Sequence, residues 1–213
     1  MGLPSTRIKF IGRHLMLKGV YVEKLLSNEK KATIRRGIYK PKYNEVIIHA
    51  GGRPVAKARI TRVYYKKLRE LGEYEAKLEG FSKTEDLIKE LRKVYGDISG
   101  EEYFTVIEFE VIQRLDKLGG EDPYYGLTPS DIARIALRYL DEELSETEKK
   151  VLLDLTRTNS IRKTAINIFK DLNKRGIVRR IIKKTLRALL ERNLIQVTNA
   201  VKTPMDNHGD KGD

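Results

Sequence analysis

Residues 29–36 read EKKATIRR and bring together the side chains of this chain best suited to chemistry. Lys30, Lys31, Arg35 and Arg36 place four positive charges at the start of a strand-like run. Successive side chains of a strand point to opposite faces, so Thr33 and Arg35 share one face and Ile34 and Arg36 the other. Ile34 is the core-like member, which turns Thr33 and Arg35 toward a cleft. Such groups hold phosphate: Arg by two parallel N–H bonds, Lys as a point charge, Thr through its hydroxyl. The same residues also suit a solvated edge strand whose cations deter edge-to-edge pairing.

A second basic constellation lies near the C-terminus. Arg179, Arg180, Lys183, Lys184 and Arg187 crowd one side of a helical run, opposite Ile177, Val178, Ile181, Ile182, Leu186, Leu189 and Leu190. This side suits a nucleic-acid backbone, a solvated face or acidic lipid. The apolar face is aliphatic without Trp, and neighbouring helices need it for a core, so a membrane partner is not expected. Tyr39 and Tyr43 lie among Lys and Arg in an expected exposed loop, residues 37–44, where aromatics can stack on bases beside phosphate contacts.

Other chemistries find little support. Cysteine is absent, which removes disulfides, thiolate metal sites and a cysteine nucleophile. His14, His49 and His208 have no metal-ligand spacing. No phosphate-binding glycine loop or serine-triad order is present. No metal and no cofactor are expected.

Charge patterning points to polyanions. The 213 residues carry a formal +13. Residues 7–69 hold 18 Lys/Arg against 3 Asp/Glu and residues 157–192 hold 12 against 2, while the two stretches between are acidic. Each basic block falls in a different candidate domain. No apolar run approaches the roughly 20 residues of a membrane span. The N-terminus lacks a secretory apolar stretch, so a soluble, cytoplasmic protein is expected. Abundant Lys, Arg and Glu without Cys or Trp fits a thermophile.

These residues must be positioned by two domains. Residues 1–118 mix strand-like runs at 7–18, 32–36, 45–49, 56–64 and 103–112 with helical spacing at 19–29, 67–78 and 84–95. Gly51 and Gly52 mark a hairpin. The expected α+β fold is a small barrel with flanking helices, closed because its short strands need pairing. Gly and Pro cluster in 118–126, and 119–200 then reads as all helix. Thr128-Pro129-Ser130-Asp131 and Ser145 with Glu148 are capping signatures. Helices are expected at about 161–172 and 177–192, with Gly176 as a turn, residues 194–198 as a short strand and 201–213 as a disordered tail.

Lys30-x-x-Thr33-x-Arg35, after a helix and before a hairpin, resembles the signature of the ASCH family. Gly80-Phe81, Lys93-Val94-Tyr95 and the strand TVIEFEVI at 105–112 extend the likeness over roughly residues 8–113. The resemblance implies a PUA-like barrel with a cleft and a role in RNA biology. One branch of that family hydrolyses acetylcytidine nucleosides with a lysine, a threonine and a glutamate. By resemblance these are Lys30, Thr33 and Glu79. The helical half is similar to a winged helix-turn-helix with 177–192 in the recognition position. Nucleic-acid binding is thus expected, with RNA as the partner. An acetylcytidine amidohydrolase and a regulator binding duplex DNA are the alternatives.

Overall fold

The β-branched residues of the first half pair into strands whose irregularities bend the sheet around a cleft. A computed structural model describes residues 7–119 and 122–198. The expected disordered tail lies outside them. The chain divides into two compact units, 1–115 and 116–213.

In the first unit, five strands form a mixed sheet curled as a half-barrel. Its order is β2 (His14–Leu17), β5 (Glu45–Ala50), β6 (Arg53–Lys67), β7 (Tyr103–Arg114) and β3 (Ala32–Arg36). Only β2 and β5 pair in parallel; the other pairs are antiparallel. Register shifts at Ile48/His49, Lys57/Ala58 and Ile60/Arg62 add twist and bend the sheet. Strands β2 and β3 are left as its edges rather than closing on each other. A separate parallel pair joins β1 (Lys9–Ile11) to β4 (Tyr39–Pro41), so the expected loop 37–44 contains a strand.

Helix α1 (Val22–Leu26) precedes β3, and α2 (Glu73–Glu79) and α3 (Thr84–Tyr95) lie between β6 and β7. The helical spacing expected over 67–78 is interrupted: a turn of 3-10 helix at Leu68–Glu70 precedes α2, whose N-cap is Gly72. Gly80 ends α2 at φ 85°, the left-handed conformation that glycine adopts without steric cost. In α3, Leu87 and Leu91 are buried while Val94 is exposed. One core cluster gathers Leu15, Val46, Ile48, Ile107 and Phe109. A second gathers Ala32, Ile34, Leu87, Leu91, Phe104 and Val106.

The second unit contains α4 (Pro129–Tyr139), α5 (Glu146–Thr158), α6 (Ile161–Phe169) and α7 (Arg175–Glu191). The Thr128 hydroxyl accepts from the Asp131 N–H at 3.1 Å, with Pro129 at the first helical position. At α5 the Glu148 carboxylate accepts from the Ser145 N–H at 2.9 Å, and the Ser145 hydroxyl accepts from the Glu148 N–H at 3.3 Å. Gly176, expected as a turn, lies inside α7. The chain turns instead through Leu172–Lys174, capped by Asp171. Residues 194–198 contribute a single bridge, Val197 with Leu118. No described helix is long and apolar enough to cross a membrane.

Candidate nucleic-acid interface

The cleft of the first unit is built where α1, β3 and α2 meet. After α1, the Lys30 N–H binds the Lys24 carbonyl at 2.9 Å and the Lys31 N–H binds the Leu78 carbonyl at 2.7 Å. These bonds fix the start of β3 against α1 and the C-terminal end of α2. Glu79, the last residue of α2, thereby points at Lys30. The Lys30 ammonium is ion-paired with Glu79 Oε2, and Glu79 Oε1 accepts from the Ile34 N–H at 2.5 Å. Lys30 is 2% exposed, Thr33 5% and Glu79 7%, so three polar residues form a floor cut off from bulk water.

Above this floor opens a cavity of about 310 Å³. Tyr21, Phe81 and Tyr95 give it aromatic walls, with Leu87 and Leu91 beside them. Tyr21 stands over the Lys30 ammonium, 4.6 Å from ring centroid to Nζ, and meets Phe81 edge-on. At the rim, Lys18 Nζ bonds Glu90 Oε1 at 2.5 Å, and Arg35 donates to the Met16 carbonyl. Among the described residues the Thr33 hydroxyl has no protein partner, although it lines the cavity. It is a polar group left for a ligand.

The electrostatics follow from burial. Desolvation, helped by the cations of Arg35 and Lys24, pulls Lys30 down from 10.5 to about 7. The Glu79 carboxylate favours the charged ammonium, and the loss of water outweighs it. Near neutrality Lys30 can therefore give or take a proton. Burial and the neighbouring Glu90 push the Tyr21 phenol up to about 12, so it stays a neutral donor. The bond from Lys18 holds Glu90 below the usual carboxylate value. Aromatic walls over a polar floor fit a flat heteroaromatic ring carrying hydrogen-bonding groups.

The structure thus brings Lys30, Thr33, Arg35 and Glu79 into one cleft. The other residues singled out from sequence lie elsewhere. Lys31 is exposed outside the cleft. Arg36 points off the other face of β3, bonding Glu102 at 2.6 Å and the Tyr95 carbonyl at 3.3 Å. It lines a second hollow of about 630 Å³ together with Tyr39. Tyr43 packs on the Arg13 guanidinium, 3.8 Å from its ring centroid. In the second unit Arg179, Arg180, Lys183, Lys184 and Arg187 line a shallow groove of about 510 Å³ along α7. Lys184 is held by Glu148 at 2.6 Å, while none of the other four is in an ion pair among the described residues.

Sequence reasoning misses Lys18, Tyr21 and Glu90. One signal is present for Glu90, which flanks the apolar stripe of α3 three residues after Leu87. Nothing local marks Lys18, whose partner is 72 positions away. No group of three or more His, Asp or Glu able to hold a metal occurs among the described residues.

Comparison with protein families matches the ASCH domain to residues 8–113. Similar solved structures include the ASCH domain from Lactobacillus crispatus, 16% identical, with a TM-score of 0.43 over 49% of this chain and 80% of that one. A protein from Enterococcus faecalis is 20% identical, with a TM-score of 0.38 over 45% of this chain and 69% of that one. A mutant of ZmASCH from Zymomonas mobilis is 14% identical, with a TM-score of 0.37 over 48% of this chain and 70% of that one. No curated protein matches the chain.

Proposed function

Residues 8–113 are an ASCH domain, a PUA-like fold often linked to RNA binding, and on that premise we propose that the chain binds RNA. A base or nucleotide sits in the cleft, and the cations of α7 hold phosphates. The observation that carries this is the unpartnered hydroxyl of the largely buried Thr33, which opens to the cavity between aromatic walls. A base stacks on such walls and bonds to such a floor. On α7, Arg179, Arg180, Lys183 and Arg187 add sequence-independent affinity. The test is a fluorescence-anisotropy titration with single-stranded RNA, hairpin RNA and duplex DNA. RNA should win, and Thr33→Val and Lys183→Glu should each weaken it. A preference for duplex DNA would move the function to a regulator acting through the helical unit. No binding at moderate salt would overturn both.

Hydrolysis of an acetylcytidine-type amide is a second use of the same cleft, favoured by the lowering of Lys30 to about 7. The Thr33 hydroxyl attacks the acyl carbon while Lys30 takes its proton and later returns it to the leaving amine. Water then releases the acyl group. Glu79 orients Lys30. Turnover of acetylcytidine, lost in Thr33→Ala with the fold retained, is the expected result; no turnover by the wild-type protein removes this reading.

A further inference from the structure

Strand β1 presents a phenylalanine to solvent where a soluble surface has no need of one. Ile11 is 7% exposed and joins the core, whereas its neighbour Phe10 is 60% exposed. Lys40 lies opposite Phe10 in the parallel register with β4. Lys42 reaches over the same ring, its Nζ 5.1 Å from the centroid. Just beyond, Tyr43 is 41% exposed and backed by the Arg13 guanidinium.

The charge of this surface is one-sided. Segments 7–13 and 39–44 contain Arg7, Lys9, Arg13, Lys40 and Lys42 and no Asp or Glu. Among the described residues none of Arg13, Lys40 and Lys42 is in an ion pair. The nearest acid in sequence, Glu45, is taken by Lys57 at 3.0 Å and Arg59 at 3.8 Å. Exposed rings that alternate with unneutralised cations meet the two needs of a single strand: a π-face for each base and positive charge for the backbone. Arg13 also leaves one face of Tyr43 covered and stiffens the ring, which lowers the cost of ordering it on binding. A duplex, its bases already stacked, has nothing to offer these rings.

We infer that Phe10 and Tyr43, with Arg13, Lys40 and Lys42, form a stacking platform for single-stranded nucleic acid, separate from the cleft floor of Lys30, Thr33 and Glu79. This rests on the RNA reading above and assigns it a second surface on the same unit. Lys40, in register with Phe10, lies three residues before Tyr43. Tyr43 lies two residues past the end of β4, so the Cα atoms of Phe10 and Tyr43 are separated by at most about 11 Å of chain plus one interstrand step of about 4.8 Å, a span that a short oligomer covers.

The test uses the full chain and a short fluorescent single-stranded RNA, an otherwise identical oligomer without bases, and duplex RNA. Phe10→Ala and Tyr43→Ala should each weaken the single strand by about ten-fold or more, the loss expected of one base–aromatic stack. Tyr43→Phe keeps the π-face and should restore binding. Neither alanine variant should alter the weaker binding of the baseless oligomer or of the duplex. Because both rings are exposed, unchanged circular dichroism is expected, and Lys42→Gln gives a variant without loss of any ring. Should the wild-type protein hold the single strand while the Phe10→Ala, Tyr43→Ala double variant holds it equally well, the platform is overturned and the cleft reading stands. Equal affinity for single strand and baseless oligomer likewise overturns stacking. A wild-type protein that retains none of the RNAs overturns both.

Discussion

The Lys30 ammonium and the Glu79 carboxylate are ion-paired inside the first unit, with side chains 1% and 9% exposed. Removing water from two charges is costly, and the pair persists because Glu79 also receives the Ile34 N–H.

Breaking this pair from one side should be more harmful than removing it whole. Lys30→Met strands a buried carboxylate and is expected to cost about 3–5 kcal/mol. The Lys30→Met, Glu79→Leu double variant should recover most of that, short of about 1–3 kcal/mol for the orphaned Ile34 N–H. Urea unfolding of the three proteins measures both quantities. Additive losses would contradict the coupling.

Stability should rise with pH above neutrality. Lys30 has a folded value of about 7 against 10.5 in the free side chain. Between them the unfolded chain holds a proton that the folded chain has released, so unfolding becomes harder as pH increases. Below about 7 both states are protonated and this contribution is level. Above 10 the raised Tyr21 phenol, at about 12, works the other way. Urea midpoints measured across this range should climb in the wild type relative to Lys30→Met. A flat difference would refute the depressed value.

The cations of α7 are unequal. Lys184 is engaged by Glu148, whereas Lys183 and Arg187 are in no ion pair among the described residues. Replacing Lys183 or Arg187 with Gln should reduce the salt dependence of RNA affinity by about one counterion each. Lys184→Gln should change it less. Affinities measured over a salt series decide the order.

In the second unit, Ser145→Ala removes the hydroxyl that accepts from the Glu148 N–H and frees one side of the capping box. The expected loss is about 1 kcal/mol, read from thermal unfolding. Ser145→Asp, which still caps, should lose little.

What can be read from sequence divides by distance along the chain. The Thr128 and Ser145 caps span three residues, so their chemistry is local and both helices begin where the sequence indicates. The two-residue period of a strand is equally local, and it alone separates Thr33 from Arg36. Glu79 meets Lys30 across 49 positions, and only family resemblance pairs them in the sequence. Lys18 and Glu90 are joined solely by the fold. Gly176 misleads because it lies in the first turn of α7, where backbone N–H groups have no intrahelical partner in any case and a glycine is as compatible with a helix start as with a turn. The short strand β4 reads as a loop because its sequence, Tyr-Lys-Pro, has little β character until β1 pairs with it.

Strand β3 is an edge of its sheet, and an edge strand offers its free backbone to any passing strand. Here the outward N–H of Ile34, in the middle of the strand, is occupied by Glu79, and just before the strand the Lys31 N–H is held by the Leu78 carbonyl. Helix α2 acts as a lid on an otherwise sticky margin. The carboxylate that shapes the cleft therefore also occupies a backbone donor on the open margin of the sheet, so that one side chain serves both the site and the edge.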